Sequence, residues 1–203
     1  TAGNNSAFGH NALKANTTGT QNTAVGAFAL DANTTANNNT AVGYLAGTAC
    51  TTGTANVFVG DLAGQTLTTA DRCVFIGNTS GAVNTVTGDK NTGVGDNSLR
   101  NVSSGALNTA VGSESLMETT TASSNTAFGF ASLKANTTGA NNTAIGHESL
   151  LSNTTASFNV GVGHHALENN TTGTNNTTVG TDSLRANTTA SNNTAIGRTA
   201  LTA

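Results

Sequence analysis

The chain has 203 residues, a formal net charge of −3, only 8% charged residues and only 4% aromatic ones. That balance argues against a basic nucleic-acid surface, an acidic tail and an aromatic platform for stacking bases. No run approaches the ~18 continuous apolar residues of a membrane-spanning helix, and no signal-peptide pattern is read.

One 17-residue unit, N-T-A-V-G-x-x-A-L-x-x-N-T-T-(G/A)-x-N, recurs through the chain. Its twelve copies begin at Asn5, Asn22, Asn39, Asn56, Cys73, Asn91, Asn108, Asn125, Asn142, Asn159, Asn176 and Asn193, and every step is 17 residues except the fifth, which is 18. A fixed period over nearly the whole length predicts stacked rungs of one elongated architecture. The expected organisation is a single repetitive domain over 1–203, irregular around 47–90 and belonging to a longer fibre.

Within each unit the first expected element is a short strand over N-T-A-V-G, with β-branched residues at alternating positions 2 and 4. Position 4 is always Val, Ile or Phe, as at Val25, Val111 and Ile145, and predicts an inward column. Position 5 is glycine in all twelve copies, including Gly26, Gly112 and Gly146, which calls for positive φ or close backbone approach. Position 8 is Ala or Ser and position 9 is mostly Leu, so they join the expected core. A second strand and Gly/Asn turns are expected to complete the coil. The predicted fold class is thus all-β, a parallel β-solenoid of about twelve coils stacked at about 4.8 Å.

Two Asn columns stand out. Position 1 carries Asn22, Asn108 and Asn142 among others, and position 12 carries Asn16, Asn33, Asn84, Asn136, Asn153, Asn170 and Asn187. Stacked amides can bond from coil to coil as a ladder, or serve turns through Asx geometry. Asn16, Asn33, Asn136, Asn153, Asn170 and Asn187 also stand in N-x-S/T triplets, which give capacity for glycosylation.

The third to fifth copies depart from the rule. Gly47, Gly64 and Gly81 replace the position-9 Leu, Phe58 and Phe75 replace the small position-3 residue, and the inserted residue falls in the fifth copy. A kink or bulge is expected there. Both cysteines lie in this region, Cys50 at position 12 and Cys73 at position 1. An intrachain disulfide, two free buried thiols and an interchain bond all stay open.

No motif for catalysis is present: no recurring acid pair, no G-x-S-x-G and no phosphate loop. His10, His147, His164 and His165 read as scattered. Although His147 and His164 share position 6 on adjacent copies, a solvated variable position is the expected role. No catalytic residue, no cofactor and no metal are expected.

Ala24-Val25-Gly26 and Ala144-Ile145-Gly146 resemble the core of the repeats in trimeric autotransporter adhesin heads. Asn22 to Leu30, followed by Asn33-Thr34-Thr35-Ala36, resembles the N-T-A-V-G repeats of phage and bacterial tail-fibre-like proteins. The resemblance covers nearly the whole chain. It implies a left-handed parallel β-roll, homotrimeric, on a cell or virion surface or otherwise extracellular. Adhesin heads usually use shorter repeats.

The functional expectation is a non-enzymatic extracellular fibre or adhesin shaft. Variable positions 6, 7, 10 and 11 would meet a surface glycan, a host protein or a neighbouring fibre. The expected partners are other copies of the chain, packed through the small-residue face at Ala24, Ala41, Ala110, Ala127, Ala144 and Ala195. Neither nucleic acid nor membrane insertion is expected. The alternative is an ice-binding solenoid using Thr columns at positions 2, 13 and 14. Tyr44, Phe28 and Phe130 read as too dispersed for a glycan-binding tip.

Overall fold

The computed structural model describes residues 2–202. Twelve three-residue strands occupy positions 2–4 of the successive copies: β1 (Ser6–Phe8), β2 (Thr23–Val25), β3 (Thr40–Val42), β4 (Val57–Val59), β5 (Val74–Ile76), β6 (Thr92–Val94), β7 (Thr109–Val111), β8 (Thr126–Phe128), β9 (Thr143–Ile145), β10 (Val160–Val162), β11 (Thr177–Val179) and β12 (Thr194–Ile196). They form one parallel sheet in strict chain order, each pairing with the next at equivalent repeat positions, as Ala24 does with Ala41. The molecule is a parallel β-solenoid of about eleven turns, with about 17 residues per coil.

Each coil has one strand rather than two. The rest is turn, yet it too is bonded from coil to coil. At positions 7 and 9 the backbone is left-handed: Phe28 has φ +59° and Leu30 φ +49°. The position-7 amide therefore points to the preceding coil, with Phe28 N–H donating to His10 O at 2.8 Å. The position-9 amide points to the following one, with Leu30 N–H donating to Ala46 O at 3.0 Å. This conformation costs an L-residue about 1–2 kcal/mol. Burial of the position-9 leucines, such as Leu116, Leu133 and Leu150, offsets it.

The inward strand position is 3, not 4. Ala24, Ala41, Ala110, Ala127 and Ala144 are fully buried. Val25 and Ile145 are 38% and 43% exposed, and Val111 is half-buried. Alternation along a strand sends positions 2 and 4 to the same face, and that face is outside. The coil is too narrow for the reverse. Position 3 shares the interior with buried position-8 residues such as Ser115 and Ser132, with the leucines, and with both Asn columns. The alanines expected to meet a neighbouring chain therefore face their own core.

The position-5 glycines sit where only glycine fits. Gly26 has φ +134° and Gly112 φ +132°. A Cβ on Gly112 would lie 2.6 Å from the carbonyl carbon of Gly129 in the next coil, and one on Gly146 2.6 Å from that of Gly163. Among the position-5 glycines only Gly197, at the last strand, has open space around its Cβ direction.

The irregular middle is a repacked core with a local bulge. Phe58 and Phe75 are fully buried and stack at a centroid separation of 6.4 Å. They occupy the volume vacated at Gly47, Gly64 and Gly81. The inserted residue is absorbed before Val86, which pairs with Leu67. Val86, rather than Asn84, therefore continues the position-12 column, where it is buried with Leu67 and Val102. Asn84 is displaced to a half-buried site and donates to Asn101 O.

Candidate functional site

The Asn columns lie inside the coil. From Asn5 to Asn176 the position-1 asparagines use both ends of the amide: Asn142 Nδ2 donates to Ala156 O at 2.8 Å, and its Oδ1 accepts the Asn159 backbone N–H at 2.9 Å. Asn22 and Asn108 repeat the pattern. The position-12 column bonds in parallel, as when Asn153 Nδ2 donates to Asn136 Oδ1 at 3.0 Å and to Ala156 O at 3.0 Å. Buried amides must be paired, and these pair with the coils on either side. Left-handed φ falls at position 17 instead, as at Asn38 and Asn141, so the turn chemistry belongs to a different residue.

This arrangement bears on glycosylation. Asn33, Asn136, Asn153 and Asn170 are fully buried, and Asn16 and Asn187 are half-buried. All six donate from Nδ2: Asn33, Asn153, Asn170 and Asn187 to the Asn Oδ1 of the preceding coil, and Asn16 and Asn136 to the carbonyl three residues on. Their amides face the interior, so the folded coil offers no approach to the four buried ones.

Cys50 and Cys73 are free and buried. Each thiol replaces an Asn amide in its column, donating to Gly53 O and Gly88 O respectively, both at 3.4 Å. They are 23 residues apart, one coil plus six residues, which is about 6.5 Å along the stack, and each Sγ is turned to a backbone carbonyl rather than to the other thiol. Burial pushes the Cys50 thiol up to about 12 and Cys73 up to about 11. Beneath Cys50 the Asn33 Oδ1 has no donor, because the ladder ends there against a thiol.

The outer face of the sheet carries two columns along the whole stack. Position 2 presents mostly half-buried Thr, such as Thr23, Thr40 and Thr143. Position 4 presents an apolar row that includes Val42, Ile76, Phe128 and Val179, all at least 36% exposed. The position-14 threonines form a separate exposed file that includes Thr35, Thr52, Thr138 and Thr155. Position-13 hydroxyls are instead turned along the stack, with Thr137 Oγ1 donating to Thr154 O at 3.1 Å.

Positions 6 and 7 form an edge where variable side chains stack. His10, Phe28 and Tyr44 meet edge to face at centroid separations of 5.3 and 6.4 Å. Phe130 stacks on His147 at 5.2 Å, and His147 on His164 at 5.1 Å. The dispersed reading of these aromatics and histidines is thus revised into two clusters. His165 joins the second, its ring 3.7 Å from that of His164. Glu148, Glu168, Asp182 and Arg185 surround it.

No protein-family model, curated protein or solved structure matches the chain. The class is defined by the fold itself: a parallel β-solenoid repeat protein whose two distinctive surfaces are the Thr/Val sheet face and the position-6/7 edge. No helix among the described residues is long and apolar enough to cross a membrane.

Proposed function

We propose that the chain is a non-enzymatic extracellular shaft, a fibre or adhesin segment, that assembles with copies of itself through the outer Thr/Val face of its sheet. The observation that carries this reading is the unbroken apolar row at position 4, one residue per coil through twelve strands. The row is about 53 Å long at the parallel-coil spacing. A contiguous exposed apolar row of this kind marks an interaction surface.

Periodicity favours a second copy as the occupant. Another copy repeats at the same coil spacing and can stay in register along the full row. Three copies would close the face around one axis without leaving an edge row in water. The homotrimer and the left-handed coil belong to this proposal, as does location on a cell or virion surface. Positions 6, 7, 10 and 11 would then face outward, toward a glycan, a host protein or a neighbouring fibre.

The ice-binding alternative draws on the same face, because position 2 sets Thr beside the apolar row on a regular parallel sheet. Val57, Val74 and Val160 interrupt that Thr column, which weakens it as a lattice match.

Light scattering decides between them. The wild-type chain should be oligomeric at micromolar concentration, and Val111→Glu/Ile145→Glu should give a folded monomer. A monomeric wild type would overturn the assembly reading. Thermal hysteresis in that monomer would move the assignment to ice binding.

A further inference from the structure

We infer that His147, His164 and His165 form a binding site for a divalent transition-metal ion, with Glu148 as the fourth ligand. The site is independent of the shaft assignment. It is built from positions 6 and 7 of two successive coils, with a supporting carboxylate from a third.

Stacking brings the ligands together. His147 and His164 share position 6, so their rings lie one coil apart, 22° from parallel. His165 follows at position 7, where φ is +54°. An extended chain would send adjacent side chains to opposite faces. The left-handed residue instead brings the ring back beside its neighbour. One ring nitrogen from each of the three lies within 4.8 Å of the others. Tetrahedral ligands at about 2.05 Å from a metal sit about 3.3 Å apart, so side-chain rotation of about 1.5 Å closes the set. The backbone beneath is held by His165 N–H donating to His147 O at 3.0 Å and Asp182 N–H donating to His164 O at 2.9 Å.

The surrounding groups fit metal chemistry. Glu148 Oε2 is 3.0 Å from His165 Nε2 and 3.9 Å from His147 Nδ1, which places a carboxylate oxygen at the open corner of the imidazole set. His165 Nδ1 faces Asp182 Oδ1 at 3.4 Å and Glu168 Oε2 at 3.8 Å. On metal binding, an Nδ1–H turned toward these carboxylates would leave Nε2 as the lone-pair donor, the usual supporting arrangement of a metal-bound imidazole. Arg185 pairs with both of those carboxylates. It keeps them out of the first shell, so only Glu148 is available as an anionic ligand. On the far side, Phe130 covers the His147 ring. Three imidazoles and one carboxylate suit Zn²⁺, Co²⁺, Ni²⁺ or Cu²⁺ and not a hard oxygen-seeking ion.

The test titrates the full chain with Co²⁺ and Zn²⁺. The expected result is one ion per chain, with visible Co²⁺ absorption of tetrahedral intensity that Zn²⁺ displaces. Coil-compatible variants keep the comparison clean. Ala27 stands naturally at position 6 and Asn97 at position 7, so His147→Ala, His164→Ala and His165→Asn should fold unchanged by circular dichroism. Each should weaken binding at least ~10-fold. Asp182→Asn should weaken it by about 10–100-fold while keeping one ion per chain. Octahedral Co²⁺ spectra, no saturable site at tens of micromolar, or affinities unaltered in the three His variants would overturn the inference.

Discussion

Phe58 occupies the space that a leucine takes in the other coils, because Gly64 leaves it empty: a Cβ on Gly64 would overlap the Phe58 ring. The core volume is conserved while its source moves from position 9 to position 3. Phe58→Ala should cost about 3–5 kcal/mol through the cavity it opens. Gly64→Leu alone should also destabilise, by overpacking. Together the two restore the common coil. The left-handed φ is no obstacle, since Leu62 two residues earlier and nine position-9 leucines already adopt it. A double-mutant cycle by denaturant unfolding should give a favourable coupling of at least ~2 kcal/mol. Additive losses would show that the ring and the glycine are unrelated.

The sheet register makes a paired prediction at neighbouring residues. Ala144→Val places two extra methyls in a fully buried position and should cost about 1–3 kcal/mol. Ile145→Thr, on the outer face, should change the stability of the isolated chain by less than ~1 kcal/mol. Thermal melts of the two variants would reverse this order if position 4 were the inward one.

The glycine column separates clash from strain. Gly112→Ala meets the Gly129 carbonyl and also carries φ +132°, whereas Gly197→Ala meets nothing and carries φ +121°. The first should cost roughly 3 kcal/mol or more and the second about 1–2 kcal/mol, from backbone conformation alone. Equal losses in melting experiments would assign the whole effect to φ.

Removing one Asn amide should disturb two coils. Asn142→Ala deprives the Asn159 amide of its acceptor and the Ala156 carbonyl of a donor. The Ala156 carbonyl keeps Asn153 Nδ2 as a donor, so the Asn159 N–H is the one buried orphan and a loss of about 1–3 kcal/mol is expected. Hydrogen exchange should quicken at Asn159 and leave distant coils protected; uniform loss of protection would contradict a local ladder role.

The buried thiols set a pH window. Both titrate higher in the folded chain, about 12 and about 11, than the ordinary value of 9.0. The native state then holds more protons than the unfolded state above that ordinary value. Their contribution is complete below about pH 9 and is lost as pH rises toward 11–12, where stability should fall by several kcal/mol on the order of magnitude. Cys50→Ser/Cys73→Ser should flatten that alkaline limb in denaturant unfolding. An unchanged limb would place its origin elsewhere.

Much of this fold is written in the repeat. Period, coil number and the glycine column follow from counting, because parallel stacking requires equal residues at equal heights. The Phe-for-Leu exchange is visible as paired departures at Phe58 and Gly64. The direction of Val25 and Ala24 is not, since a three-residue strand offers too little alternation to say which face is inside. That was decided by the width of the coil, which admits Ala, Leu and two columns of hydrogen-bonded Asn. The His cluster was half legible. His147 and His164 share a repeat position, but the approach of His165 depends on a left-handed residue 7 that no glycine announces. Left-handed φ at Leu30 or His165 has no local signature either. It arises because inter-coil hydrogen bonds and leucine burial together outweigh a local cost, and both exist only once the neighbouring coils are in place.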